Sequence, residues 1–187
     1  MNTLLGVVLC GGESKRMGTD KGLIIIGGTI RAKYVAAKLE PFKLPVVFSV
    51  NESQVSAYAE HISPDNLVID AVEAHGPLNG LLSVHNKFPD NDLLLLSCDI
   101  LDLDEKTIST VLDVFQAEAK HDFIVYQDID YAQPFCGIYR SAGLRKLLDN
   151  MQSHRLHSFS LQSVLNEGYT RRLAIINPAA FKNYNLS

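Results

Sequence analysis

The sequence has only three cysteines, Cys10, Cys98 and Cys136, and no two of them form a Cys-x-x-Cys pair. An odd number at wide spacing argues against a disulfide framework and a zinc site, and favours small, reduced, buried side chains. Basic residues are not in excess: 17 Lys and Arg stand against 21 Asp and Glu, a formal net charge of -4. Nucleic-acid-binding domains usually display a basic face, so that class is set aside. The apolar run at residues 4–9 has no positively charged segment before it and ends at once in glycines. It reads as a strand rather than a secretory leader, and a cytoplasmic protein without membrane contact is expected. Internal repeats, low-complexity tracts and long linkers are also missing, so 187 residues at 47% hydrophobic content are expected to form one domain over 1–187.

What is present is an alternation. Short apolar runs at 4–9, 45–50, 67–69 and 93–96 are separated by segments of helical periodicity at 29–39, 53–60, 78–86 and 105–119, the last preceded by Asp104 as N-cap. Strands at 123–127 and 134–139, helices at 142–150 and 159–166, and a strand at 171–175 follow. Apolar runs buried on both faces and joined by crossover helices predict an α/β fold: a mostly parallel central sheet in a three-layer, Rossmann-like arrangement with helices on each side. Residues 152–158, rich in His, Arg and Ser, are expected to form a loop.

From Leu9 the chain reads Leu-Cys-Gly-Gly-Glu-Ser-Lys-Arg-Met-Gly-Thr-Asp-Lys, ending at Lys21. Neither Gly-x-Gly-x-x-Gly nor the Gly-Lys-Ser/Thr of a P-loop occurs in it. Gly11 and Gly12 allow close backbone approach, while Lys15, Arg16 and Lys21 supply positive charge, so the stretch reads as a cradle for a triphosphate. Arg16 is preferred over Lys15 because its planar fork grips two phosphate oxygens.

In an open parallel sheet, ligands bind beyond the carboxyl ends of the strands. The residues following the first four apolar runs are Gly11 and Gly12, Asn51, Asp70 and Asp99. Asp99 stands out, since an uncompensated charge after Leu-Leu-Leu-Leu-Ser-Cys is costly. A magnesium ion facing phosphates explains it, and Asp102 and Asp104 are better placed as helix caps. Asn51 and Asp70 suit either a turn or a ligand contact. A carboxylate can accept two hydrogen bonds from a guanine edge, so Asp70 is a candidate for the base or the ribose. His154 and His157 read as exposed, and no histidine is assigned to catalysis. Arg155, Arg171 and Arg172 fit either an acceptor phosphate or a solvated face.

The opening loop resembles the signature of the molybdenum cofactor guanylyltransferase family, the MobA-like nucleotidyltransferases, and similarity continues along the chain. His-Gly-Pro-Leu-Asn-Gly from His75, Ser-Cys-Asp from Ser97, the Gln133-Pro134 strand and Asn-Tyr-Asn from Asn183 to Asn185 resemble later segments of that family. By this resemblance Leu9, Cys10, Gly11, Gly12, Lys21, Asn51, Asp70 and Asp99 contact GTP, Asp99 also holds Mg2+, and Gln133 and Pro134 lie toward the acceptor. The catalytic set is Arg16, Lys21 and Asp99. Two departures stand out: Cys10 replaces the usual Ala, leaving its amide available, and the segment after Asp99 lacks the family's proline. The implied reaction transfers GMP from GTP to the phosphate of a molybdopterin-type cofactor, releasing pyrophosphate, with transient contact to cofactor-synthesis or molybdoenzyme partners. A cytidylyltransferase of the same cofactor, another small-molecule nucleotidyltransferase, and an inactive GTP-binding module are the alternatives.

Overall fold

The computed structural model describes residues 3–11 and 20–184. Gly12, Lys15 and Arg16 of the expected cradle, and Asn185, lie outside them. The chain begins with β1 (Leu4–Leu9), followed by a short hairpin of β2 (Ile25–Ile26) and β3 (Thr29–Ile30) and then α1 (Arg31–Ala37). The helix expected from residue 29 therefore starts later. Gly27 and Gly28 adopt φ of 57° and 83°, which is the backbone that turns a two-residue hairpin and that a helix cannot contain.

β4 (Val46–Val50), α2 (Val55–Ala59), β5 (Leu67–Ile69), α3 (Pro77–Lys87), β6 (Asp92–Ser97) and α4 (Glu105–Ala117) complete the first half. Gly76 at φ 62° precedes α3, with Pro77 as its first residue, where a missing N–H costs nothing. Asp104 caps α4 as expected, its Oδ1 accepting from Thr107 N at 2.7 Å. The second half contains β7 (Phe123–Gln127), β8 (Ala132–Tyr139), α5 (Ser141–Gln152), α6 (Leu161–Glu167) and β9 (Thr170–Ala174).

Seven strands form one sheet in the order β5-β4-β1-β6-β8-β7-β9. β5, β4, β1 and β6 are mutually parallel, β8 runs against both its neighbours, and β9 is parallel to β7. The central strands β1, β4 and β6 are almost wholly buried because successive side chains enter different layers. Val8, Phe48, Leu94 and Leu96 pack toward α1, α2 and α4. Val7, Val47, Leu93 and Leu95 pack toward α3, α5 and α6. Leu78, Leu81 and Leu82 of α3 are fully buried, each burial stabilising by about 1.5–3 kcal/mol. Among the described residues no helix is long and apolar enough to cross a membrane.

β8 carries a wide bulge. Between the pairs Ile124↔Ile138 and Tyr126↔Gln133, β8 uses three more residues than β7, and Cys136 takes φ 56°. Tyr139 Oη closes the bulge by donating to Pro134 O at 3.0 Å. Pro134 is tolerated mid-sheet because it falls in this interruption, where no ladder N–H is needed.

Candidate active site

The strand order converts the sequence pattern into a row. Moving across the sheet, the carboxyl ends of β5, β4, β1 and β6 present Asp70, Asn51, Gly11 and Asp99 at one edge. Adjacent strands lie about 4.8 Å apart, so this edge is roughly 14 Å long. β1 is also where the chain reverses its direction of travel across the sheet, β4 and β5 lying on one side and β6 on the other. A crevice forms at such a switch point.

Asp70 is seated at one end of the row. Its Oδ1 accepts from Ser49 Oγ at 2.5 Å, and its backbone N donates to Val50 O at 2.8 Å. A Cβ on Gly11 would stand 2.5 Å from Asp70 Oδ2, and one on Gly80 would stand 2.3 Å from Ser49 Oγ. Both glycines are therefore spaces into which the Asp70–Ser49 pair fits. Burial pushes the Asp70 carboxyl above its ordinary range, an effect the Ser49 hydrogen bond partly offsets. Asn51 starts a short 3-10 turn, its N donating to Gln54 Oε1 at 2.9 Å and its Oδ1 accepting from Ser53 Oγ at 2.6 Å.

The amides of Cys10 and Gly11 are not left available: both donate to Ser49 O, at 2.9 and 3.1 Å. Parallel pairing with β4 continues past Leu9 and consumes them, a consequence of strand neighbours that the loop's glycines alone did not disclose.

Lys21 opens a 3-10 turn, Lys21–Leu23, whose N-cap is Asp20. Asp20 is a hub. Its Oδ1 accepts from Gly22 N at 2.9 Å and Tyr58 Oη at 2.8 Å, and its Oδ2 accepts from Gln54 Nε2 at 2.5 Å. Gln54 Nε2 also donates to Cys10 O at 3.2 Å. Burial drives the Tyr58 hydroxyl far up, so it stays a donor. Asp20 thus fixes the backbone beside Lys21 against α2 and the end of β1.

Asp99 is half-buried at the end of β6, with Oδ1 accepting from Ser97 Oγ at 2.5 Å. Its carbonyl accepts from Tyr184 N at 3.1 Å, and Asn183 bridges to Ile100. Arg31, only 7% exposed, donates from Nη1 to Tyr184 O at 3.1 Å, while its buried Nε has no hydrogen-bond partner. Tyr184 Oη also bonds Asp102 Oδ2. The segment around residue 183 is thereby strapped across the Asp99 loop. Among the described residues no three His, Cys, Asp or Glu side chains gather into a cage. Asp99 fits magnesium in another way: it is a single hard carboxylate oriented by a serine, and it would hold the ion together with the phosphates of a bound ligand.

On the far side of Asp99, β8 begins at the same edge because it runs antiparallel to β6. Gln133 and Pro134 therefore lie across Asp99 from Asp70 along the sheet. The three candidate arginines are engaged elsewhere. Arg155 holds Asn150 Oδ1 from Nε and Nη2, at 3.2 and 3.1 Å, and Arg171 pairs with Glu118 at 3.5 Å. Arg172 donates to Gln127 Oε1 at 2.7 Å and Asn166 Oδ1 at 2.8 Å.

Sequence reasoning passed over Ser49, Ser97, Asp20, Gln54 and Arg31. Ser49 and Ser97 had a signal, being polar residues at or next to the ends of their strands, each two places ahead of a candidate site residue, Asn51 and Asp99. Arg31 had none, since its burial depends on a segment more than 150 residues away.

A mostly parallel sheet whose switch-point edge gathers these polar residues defines a nucleotidyltransferase of the Rossmann-like kind. Residues 6–168 match the MobA-like NTP transferase domain family, and the chain belongs to it. A "Molybdenum cofactor biosynthesis bifunctional protein" from Synechocystis sp. is 30% identical over 158 residues, which cover 82% of this chain and 44% of the relative. The chain thus spans less than half the length of that protein. A "Molybdenum cofactor guanylyltransferase" from Campylobacter jejuni subsp. doylei is 25% identical over 187 residues, covering 99% of this chain and 92% of the relative. The crystal structure of molybdopterin-guanine dinucleotide biosynthesis protein A from Archaeoglobus fulgidus superposes with a TM-score of 0.72 at 17% identity, covering 90% of this chain and 82% of that one. It shows the same fold.

Proposed function

We propose that this protein transfers GMP from GTP to the terminal phosphate of a molybdopterin-type cofactor, forming a dinucleotide and releasing pyrophosphate. The observation that carries the reading is the row Asp70, Asn51, Gly11 and Asp99 along one sheet edge, in a chain whose family and named relatives match. In this reading Asp70, in its Gly11–Gly80 seat, receives the donor edge of guanine. Asn51 and the end of β1 line the nucleoside. Lys21, held by the Asp20 turn, and Arg16, outside the described residues, meet the phosphates.

The acceptor's phosphate oxygen attacks the α-phosphorus, a new P–O bond forms, and the bond to the β-phosphate oxygen breaks. The attacking oxygen of the acceptor's phosphate is already anionic, so no side chain must remove a proton. The protein's work is alignment and charge compensation as pyrophosphate departs. Asp99, oriented by Ser97, would hold Mg2+, which when bound neutralises charge on the phosphate oxygens.

The test is thermal stabilisation by GTP, CTP, ATP and UTP with and without magnesium, on the wild type and on Asp99→Ala. Selective, magnesium-enhanced stabilisation by GTP that Asp99→Ala loses is the expected result. A preference for CTP overturns the substrate while keeping the reaction class. Pyrophosphate release on adding the acceptor separates an enzyme from an inactive binding module.

A further inference from the structure

The side chain of Gln54 touches three segments of the site at once. It ends the 3-10 turn Glu52–Gln54 that follows β4. Its Oε1 accepts from Asn51 N at 2.9 Å, closing the turn as the glutamine of a capping box does. Its Nε2 donates to Cys10 O at 3.2 Å, just past β1, and to Asp20 Oδ2 at 2.5 Å, one residue before Lys21. A primary amide has two N–H donors and one carbonyl, so both kinds of group are engaged. Cys10 and Asp20 stand 44 and 34 residues away in the chain, so the contacts tie together segments that are remote in sequence.

Elementary chemistry selects glutamine for this place. A glutamate would keep the Asn51 contact but set a carboxylate against Asp20, while a lysine or arginine would pair with Asp20 and offer no acceptor to the Asn51 amide. Turning the amide over would face Oε1 toward the Cys10 carbonyl and the Asp20 carboxylate, acceptor against acceptor, so one orientation is set. Asp20 is gripped from its other oxygen as well, by Gly22 N and Tyr58 Oη. Its position is therefore fixed relative to Gln54, and through Gln54 relative to Asn51. With Asn51 at the nucleoside and Lys21 at the phosphates, one amide spans the two ends of the bound nucleotide. Displacement at the α-phosphorus depends on that alignment.

We propose that Gln54 is a positioning residue for nucleotide transfer: through Asp20 it holds Lys21 at a set distance from Asn51, coupling the phosphate end of the site to the nucleoside end. The proposal rests on the transfer reading above and adds to it the residue that joins its two halves.

The full chain, with magnesium present and no acceptor, is titrated with GTP by calorimetry as wild type, Gln54→Leu, Lys21→Ala and the double variant. Gln54→Leu is expected to weaken GTP about tenfold in the wild-type background, the scale of losing a hydrogen bond to a charged group. In the Lys21→Ala background it is expected to cost no more than about threefold, because the cation it positions is already gone. A merely structural role would cost the same in both backgrounds. The second measurement reverses the polarity of the link. Gln54→Glu sets two carboxylates together and is expected to weaken GTP at least about tenfold, and adding Asp20→Asn, whose amide can donate to the new carboxylate, is expected to recover at least about threefold. This pair keeps the test decisive if Gln54→Leu fails to fold. Equal cost in both backgrounds, or no gain from the reversed pair, overturns the proposal. A wild type that binds GTP and is weakened by Lys21→Ala confines that failure to Gln54, whereas a wild type that does not bind GTP brings down the transfer reading itself.

Discussion

The two halves of the sheet solve the same problem differently. In the parallel half, β5, β4, β1 and β6 all point one way, so every strand delivers its carboxyl end to one edge and polar residues there meet automatically. In the mixed half, β8 runs backwards between β6 and β7, and the same edge is built from the beginning of one strand and the ends of two others. The parallel half makes a site by repetition, and its residues are separated only by strand spacing. The mixed half encloses a cavity by closure of a bulge, a turn and the segment after β9.

The largest break in this contrast comes at the boundary between the halves. Asp99→Ala should lower kcat by about 10³-fold or more while leaving the fold intact, by analogy with removing one preorganised electrostatic group from an active site. Circular dichroism beside steady-state rates checks both parts, and near-wild-type turnover would remove Asp99 from the mechanism.

Gly11→Ala attacks the close packing of the parallel half. Its methyl would stand 2.5 Å from Asp70 Oδ2, so a destabilisation of about 1–3 kcal/mol is expected together with weaker nucleotide binding. Denaturant melts measure the first; an unperturbed melting curve would show that Asp70 is not fixed against the loop.

Arg31→Met tests whether the strap through Tyr184 matters to Asp99. We expect the magnesium concentration for half-maximal rate to rise about tenfold, with kcat at saturating metal largely retained and Arg31→Lys recovering part of the loss. An unchanged magnesium dependence would leave Arg31 a structural residue only.

The smallest effect concerns pH. Burial raises the Asp70 carboxyl, so the native state holds this proton more tightly than the unfolded chain. The contribution favours folding below the ordinary carboxylate range, near about pH 4, and is lost as pH rises through the raised value. Asp70→Asn should therefore be more stable than wild type at neutral pH, by about 1 kcal/mol, with the difference closing in acid. It should also lose nucleotide affinity. Thermal melts across that range would expose the opposite trend if Asp70 were stabilising.

How much of this was legible follows from the same contrast. Each apolar run of the parallel half names its own edge residue, because direction and edge are shared, and Asp99 stood out as a charge just past a run of four leucines. The hairpin at Gly27 and Gly28 was legible in principle, since a Gly-Gly pair between β-branched residues is a turn signal, but helical composition just beyond it masked the strands. Arg31 was not legible: it becomes a clamp only when residue 184 returns to lie beside Asp99. The cavity at Gln133 was invisible for a similar reason, because its walls come from three strand ends and a 3-10 turn far apart in the chain.

The sequence by itself determined the layer architecture and the residues at the ends of the parallel strands, because hydrophobic period acts over a few residues at a time, and its opening loop carried the family resemblance. Only the tertiary structure decided that Ser49 takes up the amides of Cys10 and Gly11, that Asp20 anchors the turn at Lys21, that Arg31 pins the strap, and that β7, β8 and β9 enclose a cavity at Gln133. Those facts depend on which strands become neighbours and on where distant segments return, and long-range packing sets both.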